Sequence, residues 1–184
     1  GGYTSESAKI ARRIARRTCQ YDMSATIFGS GHKSSLELAT FANGVMIRYL
    51  DFNDGFAAIS RGGGHPSDNF APILTCADAT HANGKDVILA SVLAYEIFCR
   101  LADQVNFFTK GVDYPVFGVI SSVIGVSKIF GLSQEQTIQS INLAVAPNVS
   151  LRQTRVGEVS MWKGCAMANA ARNAVFATLL AKEG

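Results

Sequence analysis

Little in this chain suggests covalent or metal staples. Its four cysteines, Cys19, Cys76, Cys99 and Cys165, are scattered over 184 residues. No two stand at C-x-x-C spacing and the three histidines are not clustered, so neither a disulfide framework nor a zinc knuckle is indicated. Reduced, mostly buried thiols are expected, with no metal and no cofactor. Long apolar runs are missing too. The stretch 116–126 is too short to cross a bilayer and includes glycine and serine, and no charged segment followed by an apolar one opens the chain. A soluble protein of a reducing compartment is expected, with no membrane partner: the cytoplasm, or the mitochondrial matrix in a eukaryote. Charge of one sign is not in large excess, the formal net being +3. The densest basic patch, Arg12, Arg13, Arg16 and Arg17, has no interleaved aromatics, which is the pattern of a solvated helix face rather than a nucleic-acid site. An initiator methionine is also lacking, and the chain stops at Gly184 directly after a strong helical pattern. It reads as a segment of a longer polypeptide whose uncovered apolar surface would favour self-association.

What is present is helical periodicity. With 48% apolar residues and only four prolines, the chain is ample for a single domain, 1–184, with a sizeable core. Residues 5–20 read as a basic amphipathic helix, and 24–33 as a polar, glycine-bearing connection. A second helix is predicted from 35 to about 52, delivering Asp51 at its carboxyl end. A third runs from 66 to about 81, where Pro72 is a candidate kink, and the Asn83-Gly84 pair closes it before a fourth, 86 to about 106. Residues 115–130 are rich in Val and Ile, as a buried strand would be, but their length, small residues and the Gly131 stop favour a buried helix. Ser133-x-x-Gln136 is a capping-box signature for a helix from 134 to 146, stopped by Pro147. Residues 149–162 read as irregular, and 163–181 as an alanine-rich helix suited to close packing. The fold class predicted is all-α, a multi-helix bundle.

Chemistry concentrates in DFNDGFAAISRGGGHPSDN, residues 51–69. Asp51 and Asp54 stand three apart, so their carboxylates share a face if the preceding helix continues this far. Pro66 biases His65 out of the helical region, making His65 an N-cap, Pro66 the first helical residue and Asp68 a first-turn acid. Unpaired N–H groups at such an entrance favour an anion, and Gly62, Gly63 and Gly64 allow close backbone approach to a ligand. The same residues also suit a plain turn followed by a flexible loop. A second cluster, LRQTRVGEVSMWKG, supplies Arg152, Arg155 and Lys163, with Glu158 among them. A lysine opposes the macrodipole at a helix start, so Lys163 suggests a partner anion, whereas the two arginines equally suit a salt-bridged surface loop. Cys165 has no histidine beside it in sequence and reads as a packed thiol.

RYLDFND followed by HPSDN, then GLSQEQTIQSINLA and VSMWKGCAMANAARNAVFATLLAKEG, resemble the MmgE/PrpD family, over nearly the whole chain. The resemblance implies the helical domain of a longer enzyme that also carries an α+β domain and forms a homodimer when complete. It implies a lyase without an iron–sulfur cluster, eliminating water from a 2-methylcitrate-like tricarboxylate in propionate catabolism. Decarboxylation of cis-aconitate, an epimerase, or an inactive helical binding module are the alternatives. At matching positions it assigns catalytic roles to Asp51, His65 and Lys163, with Arg152 and Arg155 as candidates for binding a small di- or tricarboxylate. The chain departs from the family pattern at Gly55, often threonine there, near Asp113 or Tyr114, where a histidine is usual, and at Ala166, another histidine position.

Overall fold

The computed structural model describes residues 2–15 and 23–184. In order, the elements are α1 (Glu6–Ala15), β1 (Ser24–Thr26), β2 (Lys33–Ser35), α2 (Leu36–Arg48), β3 (Phe56–Ala57), β4 (Gly63–Gly64), α3 (Phe70–Thr80), α4 (Gly84–Gln104), α5 (Pro115–Phe130), α6 (Gln134–Val145) and α7 (Ala166–Glu183). Short 3₁₀ turns, Pro66–Asn69, Phe107–Lys110, Arg152–Arg155 and Met161–Gly164, connect several of them. This is the helical architecture that the periodicity predicts. The predicted continuation of the first helix to residue 20, with Arg16, Arg17 and Cys19, lies outside the described residues. Among the described residues, no helix is long and apolar enough to cross a membrane.

Two antiparallel ribbons interrupt the helices. The connection predicted over 24–33 is instead pinned as the hairpin β1–β2, in register Ser24 to Ser35. Its polar sequence hides the strand signal, and the pairing is held by side chains from elsewhere. Fully buried Asn43 of α2 accepts from the Phe28 N–H at 2.9 Å and donates to the Thr26 carbonyl and to Thr75 of α3. The Thr26 N–H in turn donates to Asp78 at 2.7 Å.

Helix ends follow local chemistry. Ser35 caps α2, and the Ser133/Gln136 box caps α6 as predicted. Pro72 falls at the third position of α3, where its missing N–H has no intrahelical partner to lose, so it gives no reason for a kink. The Asn83-Gly84 pair does not close α3: His81 takes the left-handed terminal position, and Asn83 instead caps α4 by accepting from Lys85 and Asp86.

α7 is the hub of the packing, lying against α2, α5 and α6. Its buried face is Ala166, Ala168, Ala170, Ala171, Ala174 and Ala177, which lets neighbouring backbones come close. Where α2 crosses it, a Cβ on Gly44 would stand 2.8 Å from the Cβ of Ala168, so only glycine fits. One core cluster joins Ile27, Val45, Cys76 and Val175; a second joins Phe98, Phe117, Val123 and Met167. Cys76 and Cys165 are buried and Cys99 is half-buried.

Candidate active site

α2 ends at Arg48, and the chain turns so sharply that Asp51 has φ of 56°, in the left-handed region. The helix therefore stops before Asp51, and the common helical face predicted for Asp51 and Asp54 does not form. The two carboxylates serve different partners. Asp51 accepts from the Arg48 guanidinium and, at 3.0 Å, from the Lys163 ammonium, while His65 Nε2 stands 3.8 Å from its Oδ1. Burial pushes the Asp51 carboxyl up, but the hydrogen bonds and charges of Arg48 and Lys163 outweigh it and hold the group at about 2. Asp54 accepts from the Ser67 N–H at 3.1 Å and from the Tyr95 hydroxyl at 3.0 Å.

That second arrangement corrects the expected anion site. His65 does precede the turn as an extended residue with Pro66 following, but the Ser67 N–H of that turn is taken by the protein's own Asp54. Gly62, Gly63 and Gly64 line the cavity beside His65, and the last two also serve internal packing. Gly63 and Gly64 pair with Phe56 and Ala57; a Cβ on Gly63 would lie 2.0 Å from the Phe56 carbonyl oxygen, and one on Gly64 would lie 2.5 Å from the Tyr114 ring.

His65 has a defined tautomer. Its Nδ1 is 2.5 Å from the backbone carbonyl oxygen of Asp54, which only accepts, so Nδ1 carries a proton and the neutral ring leaves Nε2 as an open lone pair. Burial, followed by the nearby Arg48 charge, lowers the His65 pKa below its ordinary value, against the opposing pull of Asp54 and Asp51. Near neutral pH the imidazole is a base facing Asp51.

Beneath these groups lies a layer that sequence reasoning missed. Arg48 is almost wholly buried; its Nε donates to the Tyr114 hydroxyl at 2.9 Å, and that hydroxyl donates to Asp68 Oδ2 at 2.9 Å. Asn53 donates to the other Asp68 oxygen at 2.9 Å. Burial pushes the Asp68 carboxyl up to about 7, despite the Arg48 charge and the bonds from Tyr114 and Asn53. The available signal was a cation at the end of an otherwise apolar helix, which a buried partner has to explain.

Two cavities flank the cluster. One, of about 310 Å³, is lined by Arg48, Asp51, Ser160, Met161 and Lys163. The other, of about 480 Å³, is lined by Phe56, Gly64, His65, Phe108, Tyr114 and Arg155. Arg155 donates to buried Asp113 at 2.6 Å and lies 4.8 Å over the Tyr114 ring, with its Nη2 buried and unpartnered. Arg152 stacks on Phe108 at 4.4 Å and lines neither cavity. The structure thus brings together Asp51, His65 and Lys163, sets Arg155 beside His65, and leaves Arg152 to one side. Cys165 is buried, as a packed thiol would be. Among the described residues, no group of three or more His, Cys, Asp or Glu side chains is placed to hold a metal.

Fold and site together define a helical domain in which two cavities flank a charged cluster of Asp51, His65 and Lys163. The model of the MmgE/PrpD N-terminal domain matches residues 1–184, and the chain belongs to the MmgE/PrpD family. It is 39% identical over 142 residues to a probable 2-methylcitrate dehydratase of Saccharomyces cerevisiae, covering 70% of this chain and 27% of that protein. Over 157 residues it is 34% identical to the 2-methylcitrate dehydratase of Escherichia coli, covering 79% of this chain and 32% of that protein. An alkylcitrate dehydratase of a fungal species is 32% identical over 174 residues, covering 85% of this chain and 34% of that protein. The chain therefore spans roughly a quarter to a third of the length of these curated relatives.

Proposed function

We propose that this chain forms the helical part of a hydro-lyase that removes water from a 2-methylcitrate-like tricarboxylate in propionate catabolism. The observation that carries this reading is the neutral His65 with Nε2 open, 3.8 Å from an Asp51 that is itself bound to Lys163. Elimination needs a base for a proton on carbon beside a carboxylate, and cations for the charge that develops on that carboxylate. His65 Nε2 takes the carbon-bound proton and, as the imidazolium so formed, gives it to the departing hydroxyl, which leaves as water. Lys163 gives one of its three ammonium protons to Asp51, leaving two for a substrate carboxylate. Arg155, which lines the cavity beside His65, is the candidate for a second carboxylate. Asp51, ionised with a pKa of about 2, is not the acid that protonates the departing hydroxyl; it keeps Lys163 and Arg48 in place.

The complete protein works, on this reading, as a homodimer, supported by the exposed apolar residues Ile88, Leu89 and Val92 of α4. It resides in the cytoplasm or the mitochondrial matrix; a relative from Yarrowia lipolytica, 37% identical, is named as a mitochondrial 2-methylcitrate dehydratase. The test is turnover by the full-length protein. His65→Gln is expected to lower kcat on 2-methylcitrate by about 10²-fold or more. Unchanged turnover removes His65 from the chemistry, and carbon dioxide release from cis-aconitate by the unsubstituted protein would assign a decarboxylase instead.

A further inference from the structure

Asp51 is held in a conformation it would not choose alone. A non-glycine residue in the left-handed region costs about 1–2 kcal/mol, and the Asp51 side chain is partly exposed, so packing does not enforce the turn. What enforces it comes from below. The Arg48 guanidinium reaches up to Asp51 while its Nε is fixed by the Tyr114 hydroxyl, which is fixed in turn by Asp68. These residues come from the end of α2, the turn before α3 and the start of α5, and all three are buried. Tyr114 is the common member. Its ring meets His65 edge-on at 5.6 Å between centroids, and Arg155 lies over it at 4.8 Å. Its hydroxyl is the link that accepts from Arg48 and donates to Asp68.

We propose that Tyr114 is the positioning residue of this site, its hydroxyl tying Arg48 to Asp68 so that Asp51 is presented between Lys163 and His65. The inference rests on the lyase reading only for its kinetic consequences. Tyr114→Phe is the direct probe, because it keeps the ring against His65 and Arg155 and removes both hydroxyl bonds. In the full-length protein kcat on 2-methylcitrate should fall about 10- to 100-fold with KM little changed, the scale of a small misplacement of reacting groups.

A second readout does not need activity. His65 faces Arg48 from α2, Asp51 and Asp54 from the following loop, and Tyr114 and Arg155 across the second cavity. Without the hydroxyl, Arg48 Nε keeps only its looser 3.6 Å approach to Asp68, so its charge bears less closely on His65, and the His65 midpoint, followed by NMR of labelled histidine, should move up toward the ordinary histidine value. Should Tyr114→Phe fail to fold, Arg48→Lys, whose ammonium lacks the fixed planar fork that spans Asp51 and Tyr114, is expected to lower kcat in the same sense. Unaltered kcat and His65 midpoint in a folded Tyr114→Phe protein, or unaltered kcat in a folded Arg48→Lys protein, with only thermal stability lowered, would overturn the proposal. An unsubstituted protein without turnover would sink the lyase reading, while the resting-state titration would still decide the role of Tyr114.

Discussion

At the scale of single residues, Lys163 is 40% exposed, and its ammonium is only partly used by Asp51. Lys163→Met in the full-length protein is expected to weaken binding of citrate-like anions about 10- to 100-fold, the worth of one charge-assisted hydrogen bond. A calorimetric titration showing unchanged affinity would take the residue out of the site. The two carboxyls tied to Arg48 have opposite pH signatures. Asp51 is depressed from 3.8 to about 2, so its contribution to stability is fully present above 3.8 and is lost as pH falls through about 2. Asp68 is raised from 3.8 to about 7, so the folded state binds the extra proton between those values, and stability declines as pH rises across that window. Asp68→Asn should flatten that decline, measured as urea midpoints at several pH values. An undiminished slope would show that Asp68 does not titrate there.

At the scale of elements, the contact between α2 and α7 is the least forgiving. Gly44→Val would place a branched side chain where a Cβ alone already overlaps Ala168, and should cost about 1–3 kcal/mol or more by overpacking. Thermal unfolding reads it directly. Most helices were legible from sequence because their signals are local: Pro115 and Gly131 bound α5, and the Ser133/Gln136 box starts α6. The β1–β2 hairpin was not, because its stability comes from Asn43, Thr75 and Asp78, distant in sequence. Asp51, His65 and Lys163 were nominated from the motifs that carry the family resemblance. Arg48, Tyr114 and Asp68 were not, since a buried polar chain becomes visible only when three helix ends converge. The glycine run was read as a cradle for a ligand; it does line the cavity beside His65, while the Cβ-free faces of Gly63 and Gly64 also receive Phe56 and Tyr114.

At the scale of the whole molecule, the surface retains large apolar side chains, Phe52 at 90% and Ile59 at 87% exposed beside the site, and Phe176 and Leu180 on α7. Large apolar side chains exposed in this number invite association. The 184-residue chain expressed alone is expected to form oligomers whose population rises with concentration, and a monomer across the accessible range in sedimentation would contradict this. The seam between Gly44 and Ala168 reaches further than its own packing. Gly44 lies about one helical turn before Arg48 on α2, and Ala168 follows Lys163 by five residues at the start of α7. A single methyl added at that seam would wedge the guanidinium's helix away from the ammonium's, which gives descendants of this protein a way to retune their chemistry by drift at a position no substrate ever meets.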